Sequence, residues 1–310
     1  MILSERPAGM LQFPPNEFNL RFSSLVFPNG GNSEKVSQLE ILRWSPASVP
    51  GINALEKRTW APWLRKPEDK IRSIAKDQNK RRTHLVAIDP SSRDIVGIIS
   101  ATRTNWDGDP KSVLPWDTYA GGSVATGDYP NYDNTGNTLV IMSSSVDPDH
   151  QGQGIVRSLF TQLQIEAKAL GVKHIIGAFR PSEYGTYTRN SNNPPLSFEE
   201  YCERVIRGEL HDHWLKAAMH MGMEPIRDEG RLRVEDSSMR VEVPLSDLHE
   251  FRAAYRPHKD ASHPKGDWIE VDGKWYSGET GSWTIKTKEG TDELYAEYVE
   301  PNLLGEIRMS

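Results

Sequence analysis

Cysteine is almost absent from this 310-residue chain: there is one, Cys202. A single thiol excludes any intrachain disulfide and any cysteine-rich zinc site, and it fits a reducing cytoplasm. Long apolar runs are lacking too. The longest are strand-sized and none approaches the roughly 20 residues that cross a bilayer. The opening MILSERPAGM has no basic start followed by an apolar stretch, so neither a membrane span nor a secretory leader is expected. Nor is there an excess of positive charge. Lys and Arg number 37 against 43 Asp and Glu, a net charge of −6, which excludes a protein held on nucleic acid by bulk charge.

What is present is globular in composition, with 26% charged and 36% hydrophobic residues. At roughly 150 residues per domain the length suits one large domain or two modest ones. Residues 1–36 are rich in Pro, Asn, Ser and Gly without a sustained period, and read as an extended N-terminal arm. The apolar pattern then predicts a strand at Leu39 to Trp44, a short helix carrying Ile52, Leu55 and Trp60, and a helix from Pro67 to about Asn79. A hairpin of Thr83 to Asp89 and Asp94 to Ala101 follows, then a strand at Asn137 to Val146, an amphipathic helix over 152–170 ending at Gly171, and a strand at Val172 to Phe179. Ser197 and Glu200 make a capping box that opens another helix. Asp212 is a second N-cap and Gly222 a stop. This order is that of an α/β or α+β mixed sheet. Two segments stand out. The basic run Lys57 to Arg82 is either a solvated face or a patch for an anion. The stretch Trp106 to Gly136 is longer than ordinary connections and is a candidate functional loop.

The segment that carries chemistry is Val146-Asp147-Pro148-Asp149-His150-Gln151-Gly152-Gln153-Gly154-Ile155-Val156-Arg157, where a strand ends and a glycine loop opens directly into a helix. Such a loop presents unpaired N–H groups at the positive end of a helix dipole and lets an anion approach the main chain, which suits phosphates. A dinucleotide fingerprint would need a third glycine where Arg157 stands, and a Walker loop would need Gly-Lys-Ser or Gly-Lys-Thr, which the chain does not have.

The remaining pattern resembles motif A of the GNAT superfamily, the acyl-CoA-dependent N-acetyltransferases: Gln/Arg-x-x-Gly-x-Gly/Ala preceded by Val-x-Pro. Val146, Pro148, Gln151 and Gly154 match, and Val156 replaces the last Gly or Ala. A narrower likeness runs through Trp116, Gly136 to Leu139, Gly177-x-x-Arg180-Pro181, Glu200-Tyr201, Val205, Arg207-Gly208-Glu209-Leu210-x-Asp212 and Gly222-Met223. Together these are similar to the acetyltransferase domain fused, in some bacterial proteins, to a nitrilase-type hydrolase.

The resemblance implies a GNAT fold over residues 37–230, with strands that part after the motif A strand. It implies that main-chain groups of Ser144, Ser145 and Val146 hold the pantetheine arm of acetyl-CoA or another acyl-CoA. The amides of Gln151, Gly152, Gln153, Gly154, Ile155 and Val156 would hold its diphosphate, with Arg157 beside them. An N–H near Ser145 or Val146 would polarise the thioester carbonyl. Positions where the family often carries a carboxylate and a tyrosine hold Leu139, Val140, Ile141 and Ala218 here. The acid–base candidates are therefore Tyr184, Tyr187 and Ser145, with Ser143, Ser144, His211, Asp212 and His213 behind them; packing or capping is the plainer reading of each. Trp60, Trp63, Trp116, Asp117, Tyr119 and Arg180 are candidate substrate contacts, since aromatics beside an acid suit an amine and Arg suits a carboxylate. Core or lid packing would explain them equally. His213, His220 and Glu209 share a helix face but lack a fourth ligand, so no metal is expected.

Residues 231–310 predict a strand at Arg240 to Leu245 and a hairpin series at Asp267 to Ile285 with an Asp-Gly turn, a small β-rich extension holding three of the nine tryptophans. It would cover the acceptor side or make a homodimer contact. The expected function is a cytoplasmic N-acyltransferase moving an acyl group from acyl-CoA to an amine of a small molecule, without metal, nucleic-acid or membrane partners. Two alternatives stand beside it: action on the thioester without amine transfer, as a decarboxylase or hydrolase, and a non-catalytic CoA-binding or interaction module.

Overall fold

The computed structural model describes residues 39–60, 65–121, 129–190, 192–242, 256–257, 267–271, 274–277, 282–287 and 294–309. The arm expected at 1–36 and Trp63 lie outside them. The first half runs β1 (Glu40–Arg43), α1 (Val49–Thr59), α2 (Glu68–Lys76), β2 (His84–Ile88), β3 (Ile95–Thr104), α3 (Trp116–Ala120), β4 (Thr138–Val146), α4 (Ile155–Ala169) and β5 (His174–Phe179). Then come α5 (Tyr184–Arg189), α6 (Phe198–Ile206), α7 (His213–His220), and the short strands β6 (Met223–Pro225), β7 (Arg227–Asp228) and β8 (Arg231–Leu232). The last are β9 (Val234–Glu242), β10 (Arg256–Pro257), β11 (Asp267–Val271), β12 (Lys274–Ser277), β13 (Ser282–Thr287) and β14 (Leu294–Ile307). The long connection between β3 and β4 contains the one-turn helix α3, and α5 occupies a segment that reads as loop in the sequence. β9 starts earlier than the strand expected at Arg240, and residues 243–245 lie outside the described residues.

The main sheet is ordered β1-β2-β3-β4-β5-β14-β13, with β6 and β9 also on β14. All its pairings are antiparallel except β4 with β5. This is a mixed α/β architecture of the GNAT type. Each face of the sheet carries a core. Ile155, Leu159, Phe160 and Leu163 of α4, at helical spacing, pack on one face with Tyr201 and Leu215. Val49, Ile52 and Leu55 of α1, with Ile71 and Ile74 of α2, cover the other. Arg43 of β1 grips the buried Glu166 of α4 through bonds of 2.8 and 2.9 Å, which ties the helix to the sheet edge. The capping box at α6 forms, with the Glu200 amide donating to Ser197 at 3.2 Å and the Ser197 amide to Glu200 at 2.8 Å.

Residues beyond 230 enter this sheet. β14 lies antiparallel to β5, Leu303 opposite Phe179 and Gly305 opposite Gly177, while β10, β11 and β12 form a separate three-stranded sheet. Among the described residues no helix is long and apolar enough to cross a membrane.

The helix that carries the glycine loop sits close on the sheet because Gly97 of β3 has no side chain: a Cβ there would meet Ile155 Cγ2 at 2.6 Å. Gly97→Ala is expected to destabilise the protein by about 1–3 kcal/mol in urea denaturation through overpacking. The same substitution should cost less in an Ile155→Ala background, where the opposing methyl is gone.

Candidate active site

β4 and β5 hold together only from Thr138–Ile141 against His174–Gly177. Beyond that β4 runs on to Val146, held on its other side by β3, while β5 ends at Phe179. In the β3–β4 ladder Ser100 faces Ser143 but Ala101 faces Ile141, so Met142 is an extra residue, a bulge that bends β4 away from its parallel neighbour. The Asp147 amide donates to Val96 O at 2.9 Å. By the alternation of an antiparallel ladder, the N–H groups of Ser144 and Val146 then point away from β3, into the gap.

The gap opens onto the glycine loop. Gly152 and Gly154 have φ of +76° and +77°, a left-handed conformation that glycine adopts without strain, and Gly154 is the N-cap of α4. Residues 151–154 and Arg157 are exposed, and the N–H groups of 151–157 find no partner among the described residues. Val156 turns inward against the core, so the departure from the small-residue pattern is absorbed by packing and not by the loop. The loop is braced from below. Arg58 of α1 reaches the buried Asp147 at 2.6 Å and Asp149 at 2.9 Å, and His150 lies 3.4 Å from Asp147.

Between the parted strands is a cavity of about 300 Å³. Met142, Ser143 and Ser144 form one wall, Ala178, Phe179 and Arg180 the opposite one, and Trp60, Trp116, Phe160 and Trp214 supply apolar surface. The hydroxyls of Ser143 and Ser144 are buried with no partner among the described residues. Ser145 instead accepts a hydrogen bond from the Trp60 indole. Arg180 stands over the Trp60 ring, 5.8 Å from its centroid. The Trp116 indole donates to Ile141 O at 3.2 Å, and its amide donates to Glu235 at 3.0 Å.

Two ionisable groups border the α1 side. Glu56 is 3% exposed and accepts from the Lys66 amide at 2.8 Å. Burial raises its pKa above the usual carboxylate value, against the pull of Lys66 and Arg65. Burial would lower the pKa of Lys66, but the Tyr129 hydroxyl and Glu56 outweigh it and the net shift is upward. Beside Trp116, burial pushes the Glu235 carboxyl up to about 7, with Asp117 and Asp236 adding and the Trp116 amide and Arg233 opposing.

Of the residues singled out in the sequence, Trp60, Trp116, Ser143, Ser144 and Arg180 meet at the cavity, while Gln151 to Gly154 form an exposed loop ahead of α4. Tyr184 and Tyr187 are not among the lining residues. Tyr184 packs edge-on against Phe198 at 5.1 Å, and Tyr187 gives its hydroxyl proton to Pro194 O at 3.0 Å. Asp117 lies in the first turn of α3. Tyr119 is buried, its hydroxyl accepting from the Leu114 amide at 3.2 Å. Glu56, Lys66, Tyr129 and Asn302 line the cavity without having been singled out. Lys66 lies in the basic run and Tyr129 in the long loop that the sequence marks out, and Glu56 is a carboxylate four residues after Ile52 on the apolar stripe of α1.

A family model described as the acetyltransferase (GNAT) family matches residues 49–184, from the first residue of α1 to the first of α5. That is under half of the chain, but it encloses the parted strands and the loop, and it supports the GNAT superfamily for this segment. Among solved structures, the loading GNATL domain of CurA from Lyngbya majuscula is 15% identical, with 61% of this chain and 85% of that one covered and a TM-score of 0.48. The GphF GNAT-like decarboxylase in complex with isobutyryl-CoA is 17% identical, with 84% and 97% covered and a TM-score of 0.46. Diaminobutyrate acetyltransferase EctA from Paenibacillus lautus is 12% identical, with 85% and 95% covered and a TM-score of 0.34. Likenesses at these values transfer no activity. No curated protein matches the chain.

The raised pKa of Glu235 has a stability consequence. Its folded value of about 7 lies above the unfolded value of about 4.3, so the folded state keeps this proton more tightly and stability is lost as pH rises between the two. Glu235→Gln is expected to raise the melting temperature relative to wild type at pH 8 and to give little gain at pH 4.5; a difference independent of pH would contradict the assignment.

Proposed function

We propose that the chain is an acyl-CoA-dependent acyltransferase that moves an acyl group, acetyl in the simplest case, to the amine of a small molecule. The observation that carries this reading is the parting of β4 and β5 over a cavity, on a strand that continues into a row of unpaired N–H groups at the start of α4. A diphosphate is a natural occupant of that row, because the donors and the helix dipole both favour an anion. A pantetheine arm is an amide-bearing chain, and the free edge of β4 at Ser144 and Val146 offers it the hydrogen bonds a missing strand would have made.

The chemistry then falls to the cavity walls. An N–H of Ser144 or Val146 polarises the thioester carbonyl and stabilises the oxyanion as the amine nitrogen adds to the carbonyl carbon. Glu56 takes the proton that the amine must shed. Its burial makes it a stronger base than a solvated carboxylate, and the Lys66 amide holds it in place while the Lys66 side chain is bonded to Tyr129. Collapse of the adduct breaks the C–S bond and releases CoA thiolate, which is protonated by solvent. The tryptophans of the cavity provide the apolar surface on which a small acceptor is oriented. Tyr184 and Tyr187 have no part in this scheme. The buried lone Cys202 fits a cytoplasmic setting.

Gly154→Asp places a side chain and a negative charge at the mouth of the site, on a residue with φ of +77°. It should abolish binding of acetyl-CoA in calorimetry, and retained affinity would show that the diphosphate lies elsewhere. Thiol release from acetyl-CoA across an amine panel tests the transfer itself; release that proceeds equally without amine would assign thioester hydrolysis. Glu56→Gln should lower kcat by about 100-fold with little change in the KM for acyl-CoA, and should erase the acidic limb of the pH profile.

A further inference from the structure

We propose that Glu183, His211 and His213 form a site for one divalent transition-metal ion of the Zn²⁺ class at the rim of the central cavity. Among the described residues these three form a group whose donor atoms all lie within 4.8 Å of one another. Glu183 directs Oε1 at His213 Nδ1, and its Oε2 lies 3.5 Å from His211 Nδ1. The two imidazole rings are 4.2 Å apart and edge to face.

The convergence has a local cause. Asp212, between the histidines, is extended, with φ −145° and ψ 117°. Residues two apart on extended backbone project to the same side, so His211 and His213 face one direction. The segment that carries Glu183 is then fastened to them by the same Asp212. Its carboxylate is fully buried and accepts from the Glu183 amide at 2.9 Å, the Leu215 amide at 2.9 Å, the Ser182 amide at 3.3 Å and the Tyr201 hydroxyl at 3.2 Å. The ligand-bearing backbones are therefore fixed relative to each other before any ion arrives, while the side chains keep the freedom to adjust: His211 and His213 are 56% and 79% exposed. Ligand atoms on one Zn²⁺ lie about 3.3 Å apart for bonds of roughly 2.0–2.1 Å, so the Glu183–His213 pair must open and the wider pairs close, adjustments that rotation of exposed rings can supply.

Two imidazoles and one carboxylate suit Zn²⁺, Co²⁺ or Ni²⁺ and not Mg²⁺ or Ca²⁺, and three protein ligands leave a position for water. Ser182 and Trp214, the immediate neighbours of Glu183 and His213, line the central cavity. An ion here pins the β5–α5 connection to the start of α7 and so fixes that wall. The assignment does not depend on the acyltransfer reading. It adds to the sequence pattern, where His213 is grouped with His220 and Glu209: the structure turns His213 toward His211 and Glu183.

The test is titration of the untagged, chelator-treated full chain with ZnCl₂ and, separately, MgCl₂. One Zn²⁺ per chain and no Mg²⁺ binding are expected. His213→Ala and Glu183→Gln should each weaken Zn²⁺ at least about tenfold, the usual loss on removing a ligand or its orienting partner, and both keep the wild-type circular dichroism spectrum. His220→Ala, at the far end of α7 with Nδ1 on Lys216 O, should bind as wild type does. Co²⁺ in place of Zn²⁺ should give visible absorption bands that the first two variants lose. Absence of Zn²⁺ binding, or equal binding by wild type and the first two variants, would overturn the site.

Discussion

The separation of β4 from β5 after Ile141 and Gly177 is the constraint on which the rest of the molecule turns. Two parallel strands that stop exchanging hydrogen bonds in the middle of a sheet leave main-chain donors and acceptors to be satisfied by something else, and in a closed core that would be costly. Here the bulge at Met142 steers β4 outward and the vacated space becomes the cavity. The strand's other edge stays locked to β3, so the free amides at Ser144 and Val146 are rigidly placed. Rigid donors need no reorganisation when a ligand arrives, which is where electrostatic stabilisation in acyl transfer has its advantage.

Charge is used sparingly around this gap and mostly to hold main chain in place. Arg58 pairs with Asp147 and Asp149, in the turn that precedes the glycine loop. The basic run from 57 to 82 is thus divided among different tasks. Arg72 pairs with Glu68 one turn earlier on α2, Lys80 sits over the Tyr132 ring, and Lys66 turns inward toward Tyr129 and Glu56. The unpaired N–H groups belong to the backbone at Gln151 to Arg157. A net charge of −6 conceals this, because peptide dipoles contribute nothing to a count of side chains.

The sequence made the contiguous features legible and hid those assembled from distant segments. The strand, glycine loop and helix from 137 to 170, the capping box at Ser197 and the cap at Asp212 each rest on local periodicity or short-range hydrogen bonds, and each appears where the pattern put it. The aromatic contributions of Trp60 and Trp116 could be suspected, but not that one indole would seize the Ser145 hydroxyl and the other Ile141 O. Tyr184 and Tyr187 look chemically able in the sequence, yet α5 lays both rings on Tyr201. Glu56, Lys66 and Tyr129 come from a helix, the connection after it and the long loop before β4. No spacing rule joins them; only the fold does.

β14 gives the chain an order of assembly. Its residues 303–306 are the ones that cover the outer edge of β5, and Asn302 beside them closes part of the cavity. A growing polypeptide emerges with its N-terminal side first, so the glycine loop, α4 and β5 leave the ribosome long before the strand that completes their sheet. Throughout that interval β5 has a bare, apolar edge of the kind that recruits foreign strands. Synthesis through residue 307 is then also the event that covers this edge, and a nascent chain stalled in the long β9–β14 interval would carry both walls of its cleft but lack Asn302 and the strand that backs β5.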